Sequence, residues 1–183
     1  VTNKIIDFEV VADSSHPIFE IEGIEDLSTT YFVDLRLFDD ENKKINTNFY
    51  WLSKKEEVLD YEADLGEFAF HTPSKVYADF TLLKTLTKVD IGVSYTIEKI
   101  NDQQQITATL SNTGNAIAFL INLKLLDSTT GQSILPVFWE DNFISLIPGE
   151  QRTLRATFNC RAKANLKVEA WNSKNITYGE ISD

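Results

Sequence analysis

Methionine is absent from the 183 residues, cysteine occurs once and histidine twice. Without a second thiol, Cys160 cannot close an intrachain disulfide, and one cysteine with two histidines falls short of a metal-ligand set, so no metal and no cofactor is expected. Cys160 reads as a small buried apolar side chain. His16 precedes Pro17 and His71 precedes Thr72 and Pro73, neither beside a residue suited to a catalytic relay. Basic side chains are outnumbered, 17 against 28 acidic, giving a formal charge of −11. A negative chain without basic clusters repels phosphate backbones, which argues against a nucleic-acid partner. No apolar run approaches the roughly 18 to 20 residues that cross a bilayer, and the N-terminus lacks the basic-then-apolar order of a signal peptide, so no membrane partner is expected. Translation starts at methionine, and a chain opening on Val1 is therefore expected to be a piece of something longer.

What the chain has is apolar and aromatic content, 43% and 11%, enough to build a core in one domain or two small ones. The charge is unevenly spread: residues 1–86 carry 8 basic and 18 acidic side chains, whereas 87–183 carry 9 and 10. Two halves with such different surfaces suggest two domains.

The dominant pattern has period two. Tyr31, Val33, Leu35 and Leu37 fall on one face of a strand while Asp34 and Arg36 fall on the other. The alternation recurs at Ile106, Ala108, Leu110; at Phe119, Ile121, Leu123, Leu125; at Leu154, Ala156, Phe158, Cys160; and at Leu166, Val168, Ala170. Turn chemistry separates these runs, as in "NDQQ" at 101–104 and "IPGE" at 147–150. In the latter, Pro148 fixes φ and Gly149 can take a positive φ, launching a strand at Gln151. Short strands at this spacing read as an antiparallel sandwich.

Between about 54 and 87 the alternation stops, and a packed connector with short helical turns is expected, holding Phe68, Phe70, Tyr77, Phe80 and Leu83. From Val89 onward six or seven strands fit a complete immunoglobulin-like sandwich. Only four precede the connector, at about 4–12, 17–23, 30–38 and 45–52. The expected fold is thus all-β: residues 1–53 as the last strands of a truncated immunoglobulin-like domain, 54–87 as the connector, and 88–183 as one complete sandwich.

Few residues carry chemistry. "FWEDN" places Glu140 and Asp141 beside Trp139, yet adjacent residues on an extended chain point to opposite sides, whereas a glycosidase needs two carboxylates about 5 to 9.5 Å apart facing one sugar. A polar turn with Asp141 or Asn142 bonded to backbone amides is the simpler reading. The alternative makes it a ligand-touching loop with Trp139 as a stacking platform. Trp171 reads as a sandwich anchor. Asp39, Asp40 and Glu41 lack the spaced oxygen pattern of a calcium loop and sit where a hairpin turn is expected. Asn175, Ile176 and Thr177 form one glycosylation tripeptide, a pattern that arises often by chance. In "NTNFYWLSKKEE", Phe49 and Trp51 fall on one side of a strand and Tyr50 and Leu52 on the other, both sides being expected to lie covered with the connector packed back over the sheet.

The segments "DLSTTYFVDLRLFDDENKKINTNFYWLS", "TPSKVYADFTLLKTL", "ILPVFWEDNFISLIPGEQRTL" and "VEAWN", in this order between Leu27 and Asn172, resemble the C-terminal immunoglobulin-like domains of glycoside hydrolase family 2, in particular exo-β-D-glucosaminidases and β-mannosidases, including the endo-β-mannosidase type. The resemblance implies a non-catalytic region bracing the catalytic barrel of a parent chain, whose acid/base and nucleophile glutamates are not in this sequence. It implies candidate contacts to the barrel or to a β-linked oligosaccharide at Tyr50, Trp139, Glu140 and Asp141, and a periplasmic or secreted parent. A stand-alone carbohydrate-binding or adhesion module is the competing reading.

Overall fold

The computed structural model describes residues 3–21, 23–66, 70–159, 163–174 and 176–178. Among the described residues twelve strands run β1 (Thr30–Phe38), β2 (Lys44–Ser53), β3 (Val58–Leu59), β4 (Ser74–Val76), β5 (Ile91–Ile100), β6 (Gln103–Asn112), β7 (Ala118–Asp127), β8 (Val137–Trp139), β9 (Ile144–Leu146), β10 (Gln151–Phe158), β11 (Ala164–Glu169) and β12 (Ile176–Tyr178), with a 3-10 helix at Thr81–Thr85. Two four-stranded antiparallel sheets, ordered β5-β6-β10-β8 and β12-β11-β7-β9, make an immunoglobulin-like sandwich.

The alternation seen in the sequence builds its core. Ile106, Ala108 and Leu110 of β6 and Leu154, Ala156 and Phe158 of β10 meet Ile121, Leu123 and Leu125 of β7 and Leu166 and Val168 of β11, all nearly or wholly buried. The turn before β10 forms as expected: Gly149 takes φ 79°, Glu150 N–H donates to the Ile147 carbonyl at 3.0 Å, and the strand starts at Gln151.

Phe119 departs from the expected pattern. Leu120 has a left-handed φ of 49°, and the β7–β9 register shifts between Ala118 and Ile121. This bulge keeps Ala118 and Ile121 in the sandwich core but turns Phe119, itself fully buried, out of it. Period-two counting has no means of seeing the inserted residue.

Buried asparagines tie the loops to the sheets. Asn172 Nδ2 donates to the carbonyls of Thr87 and Ile117, each at 2.7 Å, while its Oδ1 accepts the Phe119 amide at 2.9 Å. Asn112 Nδ2 donates to Ala116 and Leu146 carbonyls, and its Oδ1 accepts from Gly114 N–H. Both residues are 1% exposed, and the bonds to the Leu146 carbonyl and the Phe119 amide are themselves buried, so those two backbone groups depend on them.

Ahead of the sandwich, β1 and β2 form an isolated hairpin. Asp39 Oδ1 accepts the amides of Glu41 and Lys43 to shape its turn. The described residues of 4–12 and 17–23, expected as strands, join no sheet: Ile5, Phe8, Val10, Val11 and Phe19 stand exposed. A period-two run becomes a strand only when a neighbour takes its hydrogen bonds, and none is present for these two. The connector is folded, through the small β3–β4 ladder and the 3-10 helix. It packs through Leu83, which is buried, whereas Phe70 and Tyr77 point into solvent at 93% and 65% exposure. Phe68, Cys160 and Asn175 lie outside the described residues.

Asn172→Ala leaves the buried Phe119 amide and two part-buried carbonyls without their partner, and it is expected to lower the unfolding free energy by about 1–3 kcal/mol. Urea denaturation with an unchanged slope would register this as a fall in midpoint alone.

Candidate functional site

The chemically diverse part of the molecule is the seam where the hairpin meets the sandwich. Cross-strand pairing sorts the hairpin residues onto two faces, with Phe32 opposite Trp51, Asp34 opposite Phe49 and Arg36 opposite Thr47 on the inner one. The Phe119 ring delivered by the bulge meets Phe32 at 5.2 Å and Trp51 edge-on at 5.5 Å between centroids, and Trp171 closes on its other side at 6.4 Å. Phe49 stacks on Phe32 at 5.6 Å. Each such pair adds about 0.5–1.5 kcal/mol beyond area burial. Trp171 also donates its indole N–H to the Leu83 carbonyl at 2.6 Å, so it anchors the connector as well as the sandwich.

Beside this aromatic seam lies a charged one. Glu150 Oε2 accepts from Arg36 at 3.2 Å, and Oε1 meets Lys44 at 3.4 Å and Arg152 at 3.0 Å; the Ile147 amide donates to Oε2 as well. Two of the three cations come from the hairpin and one from β10, so the carboxylate joins the two units. Its side chain is 7% exposed. Burial alone would push its pKa up, but the hydrogen bonds from Arg152 and the Ile147 amide and the charges of Arg152 and Arg36 outweigh that and hold it below the ordinary value. Asp34 in turn accepts from Arg36 Nε at 2.8 Å and fixes the guanidinium.

The four residues singled out by sequence are not brought together. Trp139 is half-buried and packs against the sandwich core. Glu140 accepts the Arg155 amide and pairs with the Arg155 guanidinium at 3.7 Å, both side chains about half exposed. Asp141 Oδ1 accepts the amide of Asn142, and Asn142 in turn bonds both the amide and the carbonyl of Leu123. This is the polar turn anticipated from "EDN". Tyr50 lies on the outer hairpin face, 44% exposed, with Leu52 at 37%: the connector does not cover that face. Among the described residues no three His, Cys, Asp or Glu side chains converge as metal ligands.

Of the four, Asp141 lines the cleft between hairpin and sandwich. This cleft of about 150 Å³ opens between β2 and the 141–145 segment, lined by Thr47, Phe49, Trp51, Asp141, Phe143 and Arg152 among others. Sequence reasoning passed over Glu150, Arg152 and Phe143, since each reads locally as a turn or strand end and gains meaning only from the hairpin opposite.

Residues 69–173 match the family described as the exo-β-D-glucosaminidase immunoglobulin-fold domain. The chain is similar to an exo-β-D-glucosaminidase of Arthroderma benhamiae, 35% identical over 158 residues that make up 86% of this chain and 17% of that protein. It is 32% identical to an exo-β-D-glucosaminidase of Amycolatopsis orientalis over 84% of this chain and 15% of the relative. The crystal structure of the Amycolatopsis orientalis exo-chitosanase superposes with a TM-score of 0.80 at 30% identity, covering 89% of this chain and 20% of the larger one. The chain thus spans less than a fifth of the length of these two curated relatives.

The stability contributed by Glu150 is complete above the ordinary carboxyl range near 4.5 and is lost as pH falls through its lower folded value. Asp79, held low chiefly by the Thr81 hydroxyl, and Glu169, held low chiefly by Lys124, titrate in the same direction. The informative quantity is therefore the gap in unfolding free energy between the wild type and Glu150→Gln. It is expected to be positive at neutral pH and to close below about pH 4.5; a gap independent of pH would remove the electrostatic role.

Proposed function

Because the chain belongs to the exo-β-D-glucosaminidase immunoglobulin-fold domain family, we propose that it serves as a non-catalytic structural part of a family 2 glycoside hydrolase and braces that enzyme's catalytic barrel. The parent's action on β-glucosaminides is part of the same proposal, supported by the activity named for the relatives in Arthroderma benhamiae and Amycolatopsis orientalis. In this reading residues 88–183 are one whole sandwich, 54–87 its packed connector, and 1–53 the closing strands of a second sandwich completed by other residues of the parent.

The observation that carries the proposal is the outer face of the hairpin. Tyr31, Val33, Leu35 and Leu37 of β1 stand beside Tyr50 and Leu52 of β2, with only Asn46 and Asn48 as polar neighbours in the ladder. Leu35, Leu37, Tyr50 and Leu52 are each at least 36% exposed, a continuous apolar stripe whose opposite side is already docked on the sandwich. A sheet docked through one face and carrying a partly exposed apolar stripe on the other is half of a layered structure. Burial of the remaining exposed area of these four side chains against a partner would contribute on the order of 0.5–1 kcal/mol each.

Catalysis is left to the rest of the parent, since Glu140 is engaged with Arg155 and Asp141 with the Asn142 amide, with no shared point between them. The isolated chain is expected to leave aryl β-glucosaminides and β-mannosides intact, and turnover abolished by Glu140→Gln would overturn this. It is also expected to bind an apolar dye or self-associate in sedimentation. Leu35→Lys with Leu52→Lys should reduce that signal without lowering the unfolding midpoint; a dye-silent monomer before mutation would count against the bracing face.

A further inference from the structure

The cleft between hairpin and sandwich has a composition that packing alone does not require. Phe143 holds a left-handed φ of 54°, a costly conformation for an aromatic residue, with its amide donated to Asn142 Oδ1 at 2.9 Å. Its side chain nonetheless stays 60% exposed at the edge of the cleft. Trp51 opposite remains 41% exposed although one edge of its ring system rests on Phe119. Two large aromatics thus line one small opening without burying each other.

The polar groups at the same opening are fixed in place. Asp141 is oriented by the hydrogen bond to Asn142, and its second oxygen has no hydrogen-bond partner among the described residues. Arg152 is anchored through one guanidinium nitrogen to Glu150, which leaves further N–H donors toward the cleft it lines. An enclosed cavity of about 150 Å³ holds a six-membered ring, so a half-open cleft of that volume can seat one face of such a ring. A ring with an apolar C–H face suits the aromatics, hydroxyls suit Arg152, and a positive charge suits both Asp141 and the aromatic rings. The acidic chain, at −11, disfavours an anionic sugar.

We propose that the cleft formed by Trp51, Phe143, Asp141 and Arg152 is a binding subsite for one cationic amino-sugar residue of a glucosaminide chain. The ligand class rests on the reading that the parent acts on β-glucosaminides; the existence of a subsite rests on the cleft. The ammonium group donates to the free oxygen of Asp141, the pyranose lies against the aromatic side chains, and the Glu150–Arg152 pair holds both the donor and the hairpin wall in register.

Titration of the 183-residue chain with a glucosamine trimer, followed by calorimetry and tryptophan fluorescence, tests this directly. Saturable binding is expected, weaker by about tenfold or more for the N-acetylated trimer, whose nitrogen carries no charge, and for Asp141→Asn. Phe143→Asn, a residue that tolerates the left-handed backbone, removes the ring without strain; it should weaken binding several-fold while leaving the unfolding midpoint unchanged or higher. Absence of saturable binding overturns the subsite, as do equal affinities for charged and N-acetylated trimers or an unaffected Asp141→Asn. Competition by trilysine at equal strength would reduce the contact to charge attraction and overturn it as well. Aryl β-glucosaminide turnover by the full-length parent is read separately: turnover without binding removes the subsite alone, and binding without turnover removes the proposed activity of the parent.

Discussion

Everything that joins the two parts of this molecule depends on the placement of Phe119. The residue is held from both ends of its peptide unit: its amide donates to Asn172 Oδ1, and its carbonyl accepts from the Trp171 amide at 2.9 Å. On the other side of β7, where the register with β9 is displaced, the Leu120 amide donates to Ser145 Oγ at 3.2 Å. Asn172 then uses its remaining donors on Thr87 and Ile117, and its own carbonyl accepts the Val89 amide at 3.0 Å. One side chain and its neighbour thereby lock the end of the connector, the start of β7 and the loop after β11. With the backbone so fixed, the left-handed Leu120 becomes tolerable, and the ring of Phe119 is free to leave the sandwich core and receive the hairpin.

The aromatic contact and the ion cluster divide the labour of docking. Aromatic packing supplies most of the attraction but tolerates rotation of the hairpin about the contact, because ring pairs are stable over a range of angles. The interplanar angles at this seam, 28°, 53°, 77° and 72°, span that range. Glu150 removes the freedom that remains. Its backbone is pinned by the Pro148–Gly149 turn and by the Asn112 amide on its carbonyl, so its carboxylate is a fixed point to which Arg36 and Lys44 of the hairpin are drawn. Partial burial makes this cluster less screened than a surface pair, while the desolvation of Glu150 limits its net worth. It acts on orientation more than on affinity.

Much of the sandwich was legible from the sequence because its strands obey a local rule. Ile106, Ala108 and Leu110, or Leu154, Ala156 and Phe158, can be assigned to one face without knowing what lies opposite, and Pro148–Gly149 specifies a turn by its own backbone preferences. The illegible features are those that need a second, distant element. Phe119 fits the alternation of β7 on paper, and only the inserted residue next to it reverses its direction. The runs at 4–12 and 17–23 alternate as well as any strand, yet alternation records that a face is to be buried and says nothing about which partner will bury it. Glu140 and Trp139 drew notice because a carboxylate beside an aromatic suggests sugar chemistry. In the fold the Glu140 carboxylate lies 3.7 Å from Arg155 and Trp139 packs half-buried against the core, contacts that no local pattern specifies.

The stretch Phe49–Tyr50–Trp51–Leu52 condenses the point. Four consecutive large apolar residues on a strand cannot all face one core, because the pleat sends alternate residues to opposite sides. Such a run is stable in water only if both sides of the strand find partners. Phe49 and Trp51 have ring contacts with Phe32 and Phe119, with Trp51 still 41% exposed at the cleft, whereas Tyr50 and Leu52, 44% and 37% exposed, face away from the sandwich. The asymmetry follows from how the partners are supplied. The inner side is served by the bulge at Leu120 and the cluster at Glu150, both within this chain, and the outer side calls for a surface that Tyr31, Val33, Leu35 and Leu37 extend across the other strand. A hairpin patterned this way is a joint: it transmits the position of whatever covers its outer face to the sandwich behind it, through Phe119 and Glu150.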